Sequence, residues 1–335
     1  MERLRMAVLG VGSMGTMHAQ VYRGLAEAEL VATVEADPAR QKQVQEQFGV
    51  PSYRSVDELL AEAEFDAASI CLPDPGHVEP AVALARAGKH LLVEKPLATT
   101  VEGCNTIIQA AKDAGVKLMV GFTLRFDPRY FLVQEAVAKG EVGDMVYLYA
   151  RRNNLVSGAR RLAGRVTLPF FLQVHDIDAM RWIGGSEVRR VYAVGARKVL
   201  TDLGVDDAVV STLQFEDGSI GCVESNWILP DSLPSRFDFR LEVIGTQGKA
   251  EIELQEQGAS VHDGKQLRVL DPTFRPTLYS QQPIILREEL QHFVKCVLED
   301  REPVVGGEDG KAATAVALAI EESIRTGQPV DVNYG

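Results

Sequence analysis

The feature that most narrows what this chain can fold into is Gly10-Val11-Gly12-Ser13-Met14-Gly15. It follows a short apolar run, Leu4 to Leu9, and opens a helical pattern, Ser13 to Leu25. A strand that enters a helix through glycines in this spacing demands a tight βα turn. Gly10 permits the turn, Gly12 lets the backbone approach a pyrophosphate, and Gly15 lets helix and strand pack closely. The first helical residues, Ser13 and Met14, then offer unpaired N–H groups and partial positive charge to such an anion.

The pattern beyond the glycines continues in the same sense. Strand-like runs at Leu30 to Glu35, Ala67 to Leu72, Leu91 to Val93 and Lys117 to Val120 alternate with helical ones. The helices are expected at Pro38 to Phe48, with Asp37 as N-cap, and at Ser55 to Ala63, His77 to Ala87 and Thr100 to Ala114. This alternation predicts βαβ units, right-handed crossovers and a doubly wound parallel sheet.

After Gly121 the rhythm changes. A helix is expected over Asp127 to Lys139, and strands over Met145 to Arg152, Val188 to Val199, Asp207 to Phe215, Ser219 to Trp227, Phe237 to Ile244 and Ala250 to Leu254. Glu216-Asp217-Gly218 and Gly245 to Gly248 read as hairpin turns, so the sheet is expected to be mostly antiparallel. One helix, Phe170 to Ile183, interrupts the strands, and Glu288 to Leu298 and Gly310 to Arg325 close the chain. The fold class is therefore α/β with two domains, a Rossmann-type 1–121 and an α+β 122–335 with an open-faced sheet. The last helices have the option of packing on either domain.

Charge and cysteine usage exclude several functions. Forty-seven acids against 35 bases leave a net charge of −12, which argues against nucleic-acid or anionic-membrane partners. No apolar run reaches the ~18 residues of a membrane span, and the N-terminal run reads as a strand, not a leader. Cys71, Cys104, Cys222 and Cys296 are far apart, which fits a reducing cytoplasm and no metal site.

Candidate site residues gather where parallel strands end. Glu35 lies twenty residues after Gly15, where an acid accepts hydrogen bonds from ribose hydroxyls and repels a 2′-phosphate. NAD is thus favoured over NADP, with Arg40 able to soften the preference. Leu72, Asp74 and His77 follow one strand and Glu94-Lys95-Pro96 another, so these are candidate cofactor neighbours, and Pro96 is a candidate cis proline. His77 reads as structural or cofactor-shaping. Lys95 can donate to a substrate hydroxyl. His175, in the second half, is a candidate general base, with Asp178 three residues on along the same helical face. Arg151, Arg152, Arg160, Arg161 and Arg165 fall in fifteen residues without an acid. They suit either an anionic substrate group or a subunit interface.

In this order the motifs resemble the Gfo/Idh/MocA family, the glucose–fructose oxidoreductase and inositol dehydrogenase group, over nearly the whole chain. The most specific run is Val93-Glu94-Lys95-Pro96-Leu97-Ala98-Thr99-Thr100 with Glu102-Gly103-Cys104, which is similar to inositol 2-dehydrogenases. Gly121-Phe122 and Arg125-Phe126-Asp127 resemble the family's crossing segment, and His175-Asp176-Ile177-Asp178 with Arg181-Trp182 its catalytic helix. The resemblance implies catalytic roles for Lys95 and His175 and substrate contacts at Arg125, Asn153, Phe171 and Asp178. Many members carry an aspartate four residues before the histidine, where this chain has Phe171. The implied activity is NAD-dependent hydride transfer from a secondary alcohol of a cyclic polyol or sugar, inositol favoured. A nucleotide-sugar or uronate dehydrogenase, a glycoside-cleaving relative that retains its NAD, and a non-catalytic NAD-binding sensor stay open. A homo-oligomer, dimer or tetramer, formed through the second domain's sheet is implied as well.

Overall fold

A computed structural model of the chain describes residues 3–233, 238–254, 259–262, 267–270 and 284–335. Two compact units emerge, Met1–Phe126 with Thr273–Lys311 and Asp127–Pro272 with Ala312–Gly335.

The first unit runs β1 (Leu4–Leu9), α1 (Ser13–Gly24), β2 (Ala28–Val34), α2 (Pro38–Phe48), β3 (Ser52–Tyr53), α3 (Val56–Glu62) and β4 (Ala67–Ile70). It continues through α4 (Val78–Arg86), β5 (His90–Glu94), α5 (Val101–Ala114) and β6 (Leu118–Gly121). The six strands form one sheet in the order β3-β2-β1-β4-β5-β6, every pair parallel. Near-continuous apolar strands explain this arrangement. Met6, Ala7, Val8 and Leu9 are all fully buried, as a strand covered on both faces requires. The helices start and stop as their ends dictate. Asp37 accepts from Ala39 N, Ser55 from Glu58 N and Thr100 from Gly103 N, while Gly49 and Gly115 end α2 and α5 in the left-handed region. Strand β3, two residues long, has no apolar run to announce it.

The second unit holds α6 (Pro128–Ala138), β7 (Met145–Leu155), α7 (Val156–Leu162), α8 (Val174–Gly184), β8 (Val188–Ala196), β9 (Ala208–Phe215), β10 (Ile220–Leu229), β11 (Asp238–Gly245) and β12 (Lys249–Glu253). A separate hairpin pairs β13 (Ala259–His262) with β14 (Leu267–Leu270). Helix α9 (Ile284–Leu298) belongs to the first unit and packs on α1 and β1. Then come α10 (Gly307–Thr326) and β15 (Val330–Asp331). The large sheet is ordered β12-β11-β7-β10-β9-β8-β15. It is antiparallel except that β10 lies parallel to β7, inserted beside it rather than beyond its own hairpin partner. Both expected hairpins form, closed by Phe215 N to Ser219 O and by Gly245 N to Gly248 O. The strand expected from Phe237 begins at Asp238, Phe237 lying outside the described residues. The helix expected over Phe170 to Ile183 is in fact two pieces, a π-helical turn, Pro169–Gln173, running into α8. Gln173 explains the wider turn. Its amide donates to Val209 O and Val223 O and accepts from Ser211 Oγ, pinning this backbone to the sheet.

Candidate active site

At the glycine turn the geometry is tightly specified. Gly10 has φ +79°, and a Cβ there would stand 2.9 Å from Cys71 O. At Gly15 a Cβ would fall 2.0 Å from Gly10 O, so no side chain fits. Gly12 differs: its Cβ would meet nothing within 4 Å, leaving the outer side of the turn open for another molecule. Helix α1 has no side-chain cap and no acid in its first turn, so its N–H groups remain available to an anion. Ser13 is exposed and Met14 partly so. Arg40 braces the turn from α2, donating to Val11 O at 2.7 Å. Glu35, directly after β2, is partly exposed and accepts from Asp37 N at 3.1 Å. An open glycine cradle, an uncapped helix start and this carboxylate fit a dinucleotide.

The loops after β4 and β5 join them at the same edge, the carboxyl ends of the strands on either side of the switch point between β1 and β4. Leu72 and Asp74 are partly exposed. His77 is fully buried, with Nδ1 2.9 Å from Pro96 O and Nε2 2.9 Å from Leu72 O. It clasps the two loops together, a shaping role. The Lys95–Pro96 peptide is cis, and Lys95 is half-buried. Glu94 points the other way, into the interior, its Oε1 3.0 Å from His18 Nε2. Arg125, in the turn after β6, donates to Val304 O at 3.1 Å and to Asp309 at 2.7 Å.

In the second unit, His175 lies in the first turn of α8. From Leu172 to Arg181 every other residue is buried, so His175 alone in this stretch reaches the surface. Asp178 is fully buried one turn on. Asp176, beside His175, receives two hydrogen bonds from buried Arg152, at 2.7 and 2.9 Å. Burial opposes the Arg152 charge, but Asp176 and Tyr130 outweigh it and raise its pKa. Phe171 sits in the π turn with its ring 6.2 Å from that of Trp227.

Strand alternation sorts the two asparagines. Arg152 faces α8, so Asn153 faces the opposite side of the sheet. There its amide donates to Asp238 at 2.9 Å and its oxygen accepts from Asn226 N at 2.9 Å. Asn154 turns back to the α8 side, its buried Oδ1 without a hydrogen-bond partner among the described residues. The period of two along β7 is the sequence signal that puts Asn153 and Asn154 on opposite faces. The arginines do not form one patch. Arg151 pairs with Asp238 at 2.6 Å, Arg152 with Asp176, and Arg160 with Asp202 at 2.9 Å, while Arg165 caps Leu162 O. Among the described residues no group of three or more His, Cys, Asp or Glu could hold a metal ion. No helix among them is long and apolar enough to cross a membrane.

This sheet order and glycine turn define a Rossmann-type dinucleotide-binding domain. The chain belongs to the GFO/IDH/MocA oxidoreductase family. Residues 4–122 match its NAD-binding Rossmann domain and 130–251 a GFO/IDH/MocA C-terminal domain. The myo-inositol 2-dehydrogenase of Thermotoga maritima is 30% identical, covering 96% of each chain. An inositol 2-dehydrogenase of Rhizobium meliloti is also 30% identical, over 98% of this chain and 99% of its own. Among solved structures, a probable dehydrogenase from Thermotoga maritima superposes with TM-score 0.84 at 29% identity, over 98% of both chains.

Proposed function

We propose that this protein is an NAD-dependent dehydrogenase that oxidises a secondary alcohol of a cyclic polyol, an inositol-type ring being the favoured substrate. The observation that carries the reading is Lys95, placed at the end of β5 on the same sheet edge as the open glycine turn. The named activity of the relatives supplies the substrate class.

Gly10, Gly12, Ser13, Met14, Gly15 and Glu35 would hold the dinucleotide, with Leu72, Asp74, His77 and Glu94 shaping its seat. Bound NAD supplies the hydride acceptor. The Lys95 ammonium hydrogen-bonds the reacting oxygen and stabilises the negative charge that develops on it. His175 takes the hydroxyl proton, and buried Asp178 orients its helix face. Phe171 offers an apolar surface to the ring's C–H face, and Asn154 takes the substrate role that the resemblance placed at Asn153. Arg125 then acts through the turn it anchors. Glu35 favours NAD over NADP by repelling a 2′-phosphate. The intramolecular partners of Arg151, Arg152 and Arg160 give an anionic sugar no support. The functional division is 1–121 for cofactor and 122–335 for substrate and association, in a cytoplasmic homo-oligomer. Tyr192, Val194, Val210 and Ile220, exposed on the large sheet, offer the apolar face for association.

The test is NADH formation at 340 nm with myo-, scyllo- and chiro-inositol, glucose, a uronate and a UDP-sugar, each with NAD and NADP. Turnover of an inositol with NAD is expected, and His175→Ala and Lys95→Met should abolish most of it. Turnover confined to the uronate or UDP-sugar would overturn the substrate class. Near-wild-type rates in either variant would overturn its role.

A further inference from the structure

Behind Lys95 lies a group of buried polar side chains. Glu94 comes from the end of β5, His18 and Tyr22 from α1, Cys71 from the turn after β4, and Glu289 from α9. His18 Nε2 donates to Glu94 Oε1 at 3.0 Å, both side chains being buried. Gly121, at the end of β6, makes room for that carboxylate: a Cβ there would stand 3.0 Å from Glu94 Oε1. Tyr22 is occupied elsewhere, its hydroxyl 2.6 Å from Ser69 Oγ. Glu289 is fully buried, and neither of its oxygens has a hydrogen-bond partner among the described residues. His18 Nδ1 is in the same position.

We propose that His18, Glu94 and Glu289 form a positioning cluster for Lys95, in which His18 holds Glu94 in place and Glu289, fully buried and without a hydrogen-bond partner among the described residues, is a neutral carboxylic acid. A fully buried carboxyl group without a hydrogen-bond partner stays protonated, because nothing there compensates its charge. Burial first, and then the charge of Glu94, hold the Glu289 carboxyl well above the usual carboxylate range. Burial, and then the charges of Glu94 and Glu289, raise the Cys71 thiol. From the turn after β6, which also packs on α9, Arg125 is directed to Val304 O and Asp309. The bond from His18 ties α1, which begins at the glycine turn, to the residue that precedes Lys95. One cluster thereby sets the distance between cofactor turn and lysine.

This inference rests on the reading of Lys95 as the site lysine, which Lys95→Met turnover tests separately. Its own tests need no substrate. The folded-state value of Glu289 is raised, so its stabilisation is full below the unfolded carboxyl value and is lost as pH rises toward the folded one. The melting temperature of the full chain should therefore fall from pH 6 to pH 9 more steeply than that of Glu289→Gln or Glu289→Leu, neither of which can ionise. Parallel curves for all three would overturn the neutral Glu289. Positioning is read by acetylation of Lys95 with acetic anhydride, followed by mass spectrometry with exposed Lys42 as internal reference. His18→Ala should change the Lys95 rate by about threefold or more through local loosening, and His18→Asn, which can still donate to Glu94, should restore it. An unchanged Lys95 rate in folded His18→Ala would overturn the positioning role.

Discussion

Arg152 and Asp176 permit a demanding test of how the second unit is held together beside His175. Both are buried, and two short charge-assisted hydrogen bonds join them. The ring of Phe239 lies 4.2 Å from the guanidinium carbon. Such a pair contributes little net stability, because both charges are desolvated, yet removing one partner leaves an uncompensated charge and costs about 3–5 kcal/mol. Arg152→Met and Asp176→Leu should each fall in that range. Asp176→Leu should cost more, because a buried carboxylate relieves itself by taking up a proton and a guanidinium cannot. The double variant, with apolar groups on both sides, should recover to within about 2 kcal/mol of wild type. Urea unfolding at pH 7 measures all four corners of the cycle. Intrinsic fluorescence suits it, since both tryptophans, Trp182 and Trp227, lie in the second unit. A double variant that loses the sum of the single losses, or single losses below about 1 kcal/mol, would refute the argument.

The remaining expectations can be checked with simple variants. Gly12→Ala meets no protein atom, so it should fold with a melting temperature near wild type and bind NAD at least about tenfold more weakly by calorimetry. Gly15→Ala, whose Cβ would overlap Gly10 O, should lose both NAD binding and thermal stability. Glu35→Ser should narrow the ratio of NAD to NADP affinity by about tenfold or more, because the repelling carboxylate is gone. Burial opposes ionisation of Asp207, but the N–H groups of Lys198, Val199 and Leu200 outweigh it and hold its pKa below the usual range. The resulting stability is present above the unfolded carboxylate value and is lost as pH falls through the folded one. Asp207→Asn should therefore cost about 1–2 kcal/mol at pH 7, a gap that urea titrations should show closing toward pH 3.

Much of this protein is legible in one dimension, because the signals are local. The glycine spacing, the Asp37 cap and the apolar runs gave β1 and α2 to the residue. Glu35, His77 and Lys95 could be placed on one edge from sequence because residues that end parallel strands share it whatever lies elsewhere. Local signals fail where partners are distant. Nothing in β7 or β10 says that they lie parallel, since the intervening chain hides which strand inserts where. The π turn depends on what Gln173 reaches across the sheet. The arginine run looks like a single basic patch in sequence, yet its members pair with Asp238, Asp176 and Asp202 in different places. Sequence alone determined the backbone class and the cofactor edge, because periodicity, caps and glycine turns act over a few residues. Tertiary structure decided that α9 joins the first unit, burying Glu289 there, and that Asn154 rather than Asn153 faces α8. Charge pairing and burial are properties of neighbours in space, and the linear order of residues does not contain them.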